Sequence, residues 1–244
     1  MIYLSQYLYL TASASRPFSE RLRDSIMANL ITDDRWKVML DGLLRTLQIS
    51  LFSLLFAALL GALLCSMRMS RNRFLGKSAG IYIELMRSLP LLILLLVSFY
   101  IIFAGSPLSK VQIAVACFSL YFGAYFSETF RTGIEGVDKG QREAGAALGL
   151  SRRQVFGKIV LPQALIRILP VFKVQMITLI KSTSIVGYVS VMDITKAGDY
   201  MRTRTFDAFF PLLLVAAIYF ILTWTFGVGI DILQHKLTPK KRSI

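Results

Sequence analysis

Long charge-free stretches set the hydropathy pattern of this chain. Residues 46–67, between Arg45 and Arg68, carry no Asp, Glu, Lys or Arg, and neither do residues 88–109, between Arg87 and Lys110; each run is 22 residues. Residues 111–127 give a run of 17 and residues 208–230 a run of 23. About 20 helical residues cross a hydrocarbon core of roughly 30 Å, so three runs are ample and one is minimal. Lipid offers the backbone no hydrogen-bond partners, which selects helices over open strands. Residues 169–192 contain Lys173 and Lys181 but are otherwise rich in Val, Ile, Leu and Met, and they read as a fifth span. The pattern predicts an all-α integral membrane protein of about five transmembrane helices.

The polar segments between the runs alternate in basicity. Residues 68–87 hold five Lys/Arg against one acid and residues 128–170 hold seven against four, while residues 193–207 are balanced at three each. Basic segments stay on the cytoplasmic side, which places the N-terminus outside and the C-terminus, with Lys236, Lys240, Lys241 and Arg242, inside. The apolar opening, residues 1–15, has no basic start and reads as an interfacial segment rather than a cleaved signal.

Composition changes the picture only by exclusion. Apolar residues make up 55% and charged residues 17%, below the ~25% of a soluble domain. The net charge of +14 therefore points to a membrane surface and not to nucleic acid. Cys65 and Cys117 lie in apolar runs, and His235 is the single histidine, so disulfide scaffolds, His catalysis and His-rich metal sites are excluded. Gly76-Lys77-Ser78 resembles the end of a phosphate-binding loop, but Arg71 stands where its first glycine belongs and no strand precedes it. The chain has no visible means of hydrolysing a nucleotide.

Residues 128–170 are too patterned for a simple connection. Residues 141–148 predict a short helix ended by Gly149, and Ser151 with Gln154 forms a capping box for a second helix that Pro162 breaks or bends. Read from composition alone, this is a structural loop packing on its own bundle. At membrane depth, Lys173 reads as snorkelling to the interface, whereas Lys181 lies deeper and either meets a solute or pairs structurally. Glu84 and Arg87, three apart, read as a pair on one helix face. Ser182, Thr183 and Ser184 either line a pore or bond neighbouring helices.

Glu143-Ala144-Gly145, three residues, Gly149, nine residues, Ile159, one residue, Leu161-Pro162 resembles the EAA motif of ABC-importer permeases. Gly145 departs from it, because the family usually carries a second alanine there. Residues 84–92, ELMRSLPLL, and Lys181-Ser182-Thr183-Ser184-Ile185 resemble segments of the polar amino-acid group of these permeases (histidine, glutamate, glutamine, arginine, opine), although many members have Asp where Ser182 stands. The likeness covers roughly residues 38–235.

The resemblance implies a type I importer permease. It makes 38–235 the permease domain with its coupling loop at 138–162; outside the likeness, 1–37 read as an extracytoplasmic or interfacial segment and 236–244 as a basic cytoplasmic tail. Glu143, Ala144, Gly145, Gly149, Ile159, Leu161 and Pro162 would couple to a dimer of separate ATPases. Glu84, Arg87, Lys181 and Ser184 are substrate-pathway candidates. ATP and magnesium would sit on the partner ATPase, with no cofactor on this chain. A second permease chain, identical or not, an extracytoplasmic binding protein and the lipid of a bacterial cytoplasmic membrane complete the expected partners. Glutamine or glutamate is the expected class of solute; the alternatives are another small nutrient or an ion-coupled carrier.

Overall fold

A computed structural model describes residues 17–238; residues 1–16, with the apolar opening 1–15, and the end of the basic tail, from 239 on, lie outside the described residues. Every regular element described is helical: α1 (Phe18–Ile26), α2 (Trp36–Arg68), α3 (Arg73–Ser88), α4 (Leu91–Val97), α5 (Lys110–Glu135), α6 (Lys139–Ala147), α7 (Arg152–Val155), α8 (Leu161–Ser182), α9 (Ile194–Thr205) and α10 (Phe209–Leu237). Wide π-type turns extend α1, α4 and α7, and a 3-10 turn, Thr183–Val189, extends α8.

Helices α2, α5 and α10 are single spans, and α7 through Val189 forms one further continuous helical path. The expectation that residues 88–109 cross as one helix is corrected. Pro90 has no N–H, and Leu89 before it is extended (φ −91°, ψ 138°), so the helix stops at Ser88 and restarts at Leu91. The two pieces, Arg73–Ser88 and Leu91–Ile102, meet at 104°. The second piece reaches only about 18 Å, so a crossing here needs both. The fifth candidate also shifts: its helix begins well before residue 169 and ends at the 3-10 turn, which Ser190 closes in the left-handed conformation (φ 57°). Pro162 does not break its helix, because it falls in the first turn of α8, directly after the wide turn Phe156–Val160.

The core is the α2–α5 contact. α2 turns Gly42, Thr46, Ser50, Ser53, Ala57 and Gly61 inward, a run of small residues that lets two backbones approach closely without a hydrophobic driving force in lipid. A Cβ on Gly61 would stand 2.7 Å from the Cβ of Phe126. Phe118, Phe122 and Phe126 of α5 fill the space beside them with Ile49, Leu95 and Leu179. Buried Asp193 ties the outer elements together: it caps α9 by accepting from the Thr195 and Lys196 amides (3.0 Å each) and from the Tyr219 hydroxyl of α10 (3.2 Å). The Ile194 amide beside it donates to Thr46 Oγ1 of α2 (3.2 Å).

Lys173 reaches a specific partner on another helix. It forms an ion pair with Asp231 of α10 at 2.5 Å, passing over Gly227, where the absence of a side chain gives it room. Lys173 and Asp231 lie 58 positions apart, so periodicity on one helix did not link them.

Candidate functional site

The expected coupling loop is a helix, a tight turn and a second helix. Asp138 caps α6 by accepting from the Gly140 amide (2.6 Å). At the other end the Gly149 amide donates to the Ala146 carbonyl (3.0 Å) and the Leu150 amide to the Gly145 carbonyl (3.2 Å), the paired bonds of a Schellman turn. Gly149 has φ 76°, a conformation that penalises any side chain with a Cβ. Ser151 and Gln154 then form the expected capping box, with the Ser151 amide donating to Gln154 Oε1 at 2.8 Å and the Gln154 amide to Ser151 Oγ at 3.4 Å.

The loop has two faces. Gly145 is buried against Ile159, and Val155 and Val160 join Val137, Ala164 and Ile168 in a small apolar core. Gln163 links the two helices by donating to the Ile159 carbonyl (3.0 Å) and Gln141 Oε1 (3.4 Å), and Arg142 donates to the Ile134 carbonyl (2.7 Å). Glu143 and Ala144 face outward, as do Leu161 and Pro162. Two residues that the motif did not single out are also outward: Leu148 is 80% exposed and Phe156 44%. Large apolar side chains held outward on a rigid base are what a docking surface offers a partner. The exposed position of Leu148, one residue before a turn glycine, is the signal that could have found it.

A second site lies inside the bundle. A cavity of about 280 Å³ is lined by Leu91, Tyr121, Phe122, Tyr125, Gln175, Thr178 and Ser182. Tyr121 and Tyr125 share a hydroxyl–hydroxyl bond at 3.1 Å, and Gln175 Nε2 reaches the Tyr125 carbonyl at 3.5 Å. Gln175 Oε1 is buried without a partner, an acceptor available to a solute donor. The Arg87 guanidinium lies 5.4 Å from the centre of the ring of Tyr125, one of the lining tyrosines, a cation–π contact.

This placement revises the expected pairing of Glu84 with Arg87. Arg87 turns to Tyr125, and no ion pair joins it to Glu84 among the described residues; both side chains are exposed. Lys181 is exposed and Ser184 half-buried, and neither is among the residues that line the cavity, whereas Ser182 is. An open cleft of about 540 Å³ opens beyond the 3-10 turn, between Lys37, Asp41, Arg45, Lys110 and Met192. A tyrosine pair and a glutamine inside otherwise apolar helices were visible in the sequence, but only the fold shows that they face one another.

Residues 53–243 match the family described as binding-protein-dependent transport system inner membrane component. The chain belongs to this family. Among relatives of this inner membrane component, a protein named as the glutamine transport permease GlnP of Rickettsia bellii is 35% identical over 204 residues, 82% of this chain and 92% of that one. The arginine ABC transporter permease ArtQ of Haemophilus influenzae is 33% identical over 219 residues, covering 86% and 98%. The crystal structure of an amino acid ABC transporter with histidines superimposes with a TM-score of 0.75 at 29% identity, over 82% of this chain and 94% of that one. The family and the bent five-segment helical fold therefore agree.

Proposed function

We propose that this chain is the membrane subunit of an ATP-driven importer for polar amino acids, with glutamine or glutamate as the favoured class. The observation that carries the reading is the two-faced loop at residues 138–162, in a chain whose relatives are named for amino-acid transport. Its buried face, Gly145 and Ile159 with Val155, makes it rigid; its free face, Glu143, Ala144 and Leu148, docks on a separate ATPase, which holds the ATP and magnesium. Leu161 and Pro162 at the head of α8 pass the movement on to the cavity side chains Gln175, Thr178 and Ser182 of the same helix.

The chain lies in the bacterial cytoplasmic membrane, with the loop and C-terminus inside and the N-terminus outside, the orientation its basic segments favour. Two permease chains, two ATPases and an extracytoplasmic binding protein make up the working assembly. In the cavity, Gln175 Oε1 accepts from the solute ammonium, the tyrosine rings face that cation, and Arg87 attracts the carboxylate.

Uptake into proteoliposomes containing the whole assembly tests this, with unlabelled amino acids as competitors. ATP-dependent accumulation that glutamine or glutamate competes away supports the reading. Uptake that survives a partner ATPase unable to hydrolyse ATP, or a lack of amino-acid competition, overturns it.

A further inference from the structure

We propose that residues 18–31, upstream of the family-matched region, form an arm that lies in the membrane–water boundary with its apolar side in phospholipid. Leu22, Ile26, Met27 and Ile31 are exposed, from 36% to 54%, at the spacing of an α turn followed by a wide π turn. Glu20 and Asp24 occupy the opposite side of α1 and are exposed to solvent. A short helix with one greasy and one charged side, both uncovered, matches an in-plane interfacial helix.

The depth of the arm is fixed by its attachment. Asn29 is fully buried; its Nδ2 donates to Asp207 Oδ2 (2.9 Å) and the Ser25 carbonyl (2.9 Å), and its Oδ1 accepts from Thr205 Oγ1 (2.9 Å). Arg35 Nη1 donates to the Ala28 carbonyl at 2.5 Å. Asp207 stands immediately before the span α10, and Arg35 immediately before the span α2. The arm is thus bolted to the points where two spans leave the bilayer. Exposed aromatics mark the same level: Phe206 at 82%, Phe209 at 61% and Trp36 at 44%. From Trp36 the exposed apolar stripe continues along the spanning helix through Leu40 and Leu44, so the free side of the arm is continuous with a surface that lipid covers.

Nitroxide labels on introduced cysteines test this in the full-length chain, in nanodiscs of phosphatidylethanolamine and phosphatidylglycerol. Cys65 and Cys117 are buried, so the unmodified chain is the background control. Labels at Leu22, Ile26 and Ile31 are expected to be more accessible to oxygen than to a water-soluble nickel chelate, with the ratio reversed at Glu20 and Asp24. Chelate accessibility at Leu22, Ile26 and Ile31 overturns the proposal, and so does closure to both probes, which means a protein cover. A second variant tests the bolt: Asn29→Ala is expected to sharpen the spectrum of a label at Ile26, and an unchanged spectrum removes Asn29 from the argument and overturns the fixed depth.

Discussion

Gly145 and Ile159 stand so close that a Cβ on the glycine would lie 2.7 Å from Ile159 Cδ1. The family's usual alanine at this position would therefore push the terminal methyl of Ile159 aside in the loop as this chain packs it. Val155 Cγ2, at 3.1 Å, closes the remaining side. Gly145→Ala is expected to cost no more than about 1 kcal/mol of stability, because the Ile159 terminal methyl can swing aside and alanine favours the helix over glycine. Ile159→Val, which removes the offending methyl, should restore most of that loss. Thermal unfolding of the single and double variants in detergent measures it, and two losses that simply add would disprove the contact.

Gly149→Val introduces a β-branched side chain at φ 76° and is expected to strain the turn by about 1–2 kcal/mol. The loop's outward face would lose its orientation. In the reconstituted assembly uptake should fall roughly tenfold or more while the ATPase continues to turn over, because about 1.4 kcal/mol of lost coupling is a factor of ten. Unchanged uptake with unchanged ATPase stimulation is the contrary result.

Asp231→Asn leaves the Lys173 ammonium without its partner. Asp231 is 54% exposed, so the expected loss is about 1–2 kcal/mol, less than the roughly 2.5–3.5 kcal/mol of a charge at the bilayer centre. Exchanging the two residues, Lys173→Asp with Asp231→Lys, should recover part of the stability. A shift in unfolding midpoint shared by the single variants and reduced in the exchange is the expected pattern.

Gln175→Leu removes the unpartnered acceptor of the cavity with little change in volume. A charged-group hydrogen bond contributes about 1.5–3 kcal/mol, so the half-saturating solute concentration should rise roughly tenfold or more. ATPase activity without solute should stay unaltered. A parallel loss of maximal uptake and of solute-free ATPase activity would assign Gln175 to the scaffold instead.

Local signals carried the loop far better than the membrane path. Gly149, Ser151 and Gln154 act within a few positions of themselves, so their spacing already specified the turn and the capping box. The charge-free runs likewise located α2, α5 and α10. Two features depended on tertiary placement, and a third was a local break inside a charge-free run. Arg87 found an aromatic ring on α5 in preference to Glu84 on its own helix; Lys173 found Asp231 on a remote span; and Pro90 divided a run that composition alone makes continuous. The reason for glycine at position 145 was equally invisible, since Ile159 is 14 positions further on and meets it only across the folded loop.

The corner at Leu89–Pro90 has a reach well beyond its neighbours. A chain that crosses a bilayer in two pieces depends on the second continuing in the sense of the first, and everything downstream takes its compartment from that choice. A lesion that made Leu91–Ile102 double back would leave each later helix intact yet deliver the Gly149 turn to the opposite side of the bilayer, away from the ATPase proposed to dock on it. Damage at this proline would then appear as wholesale loss of transport by a well-folded protein.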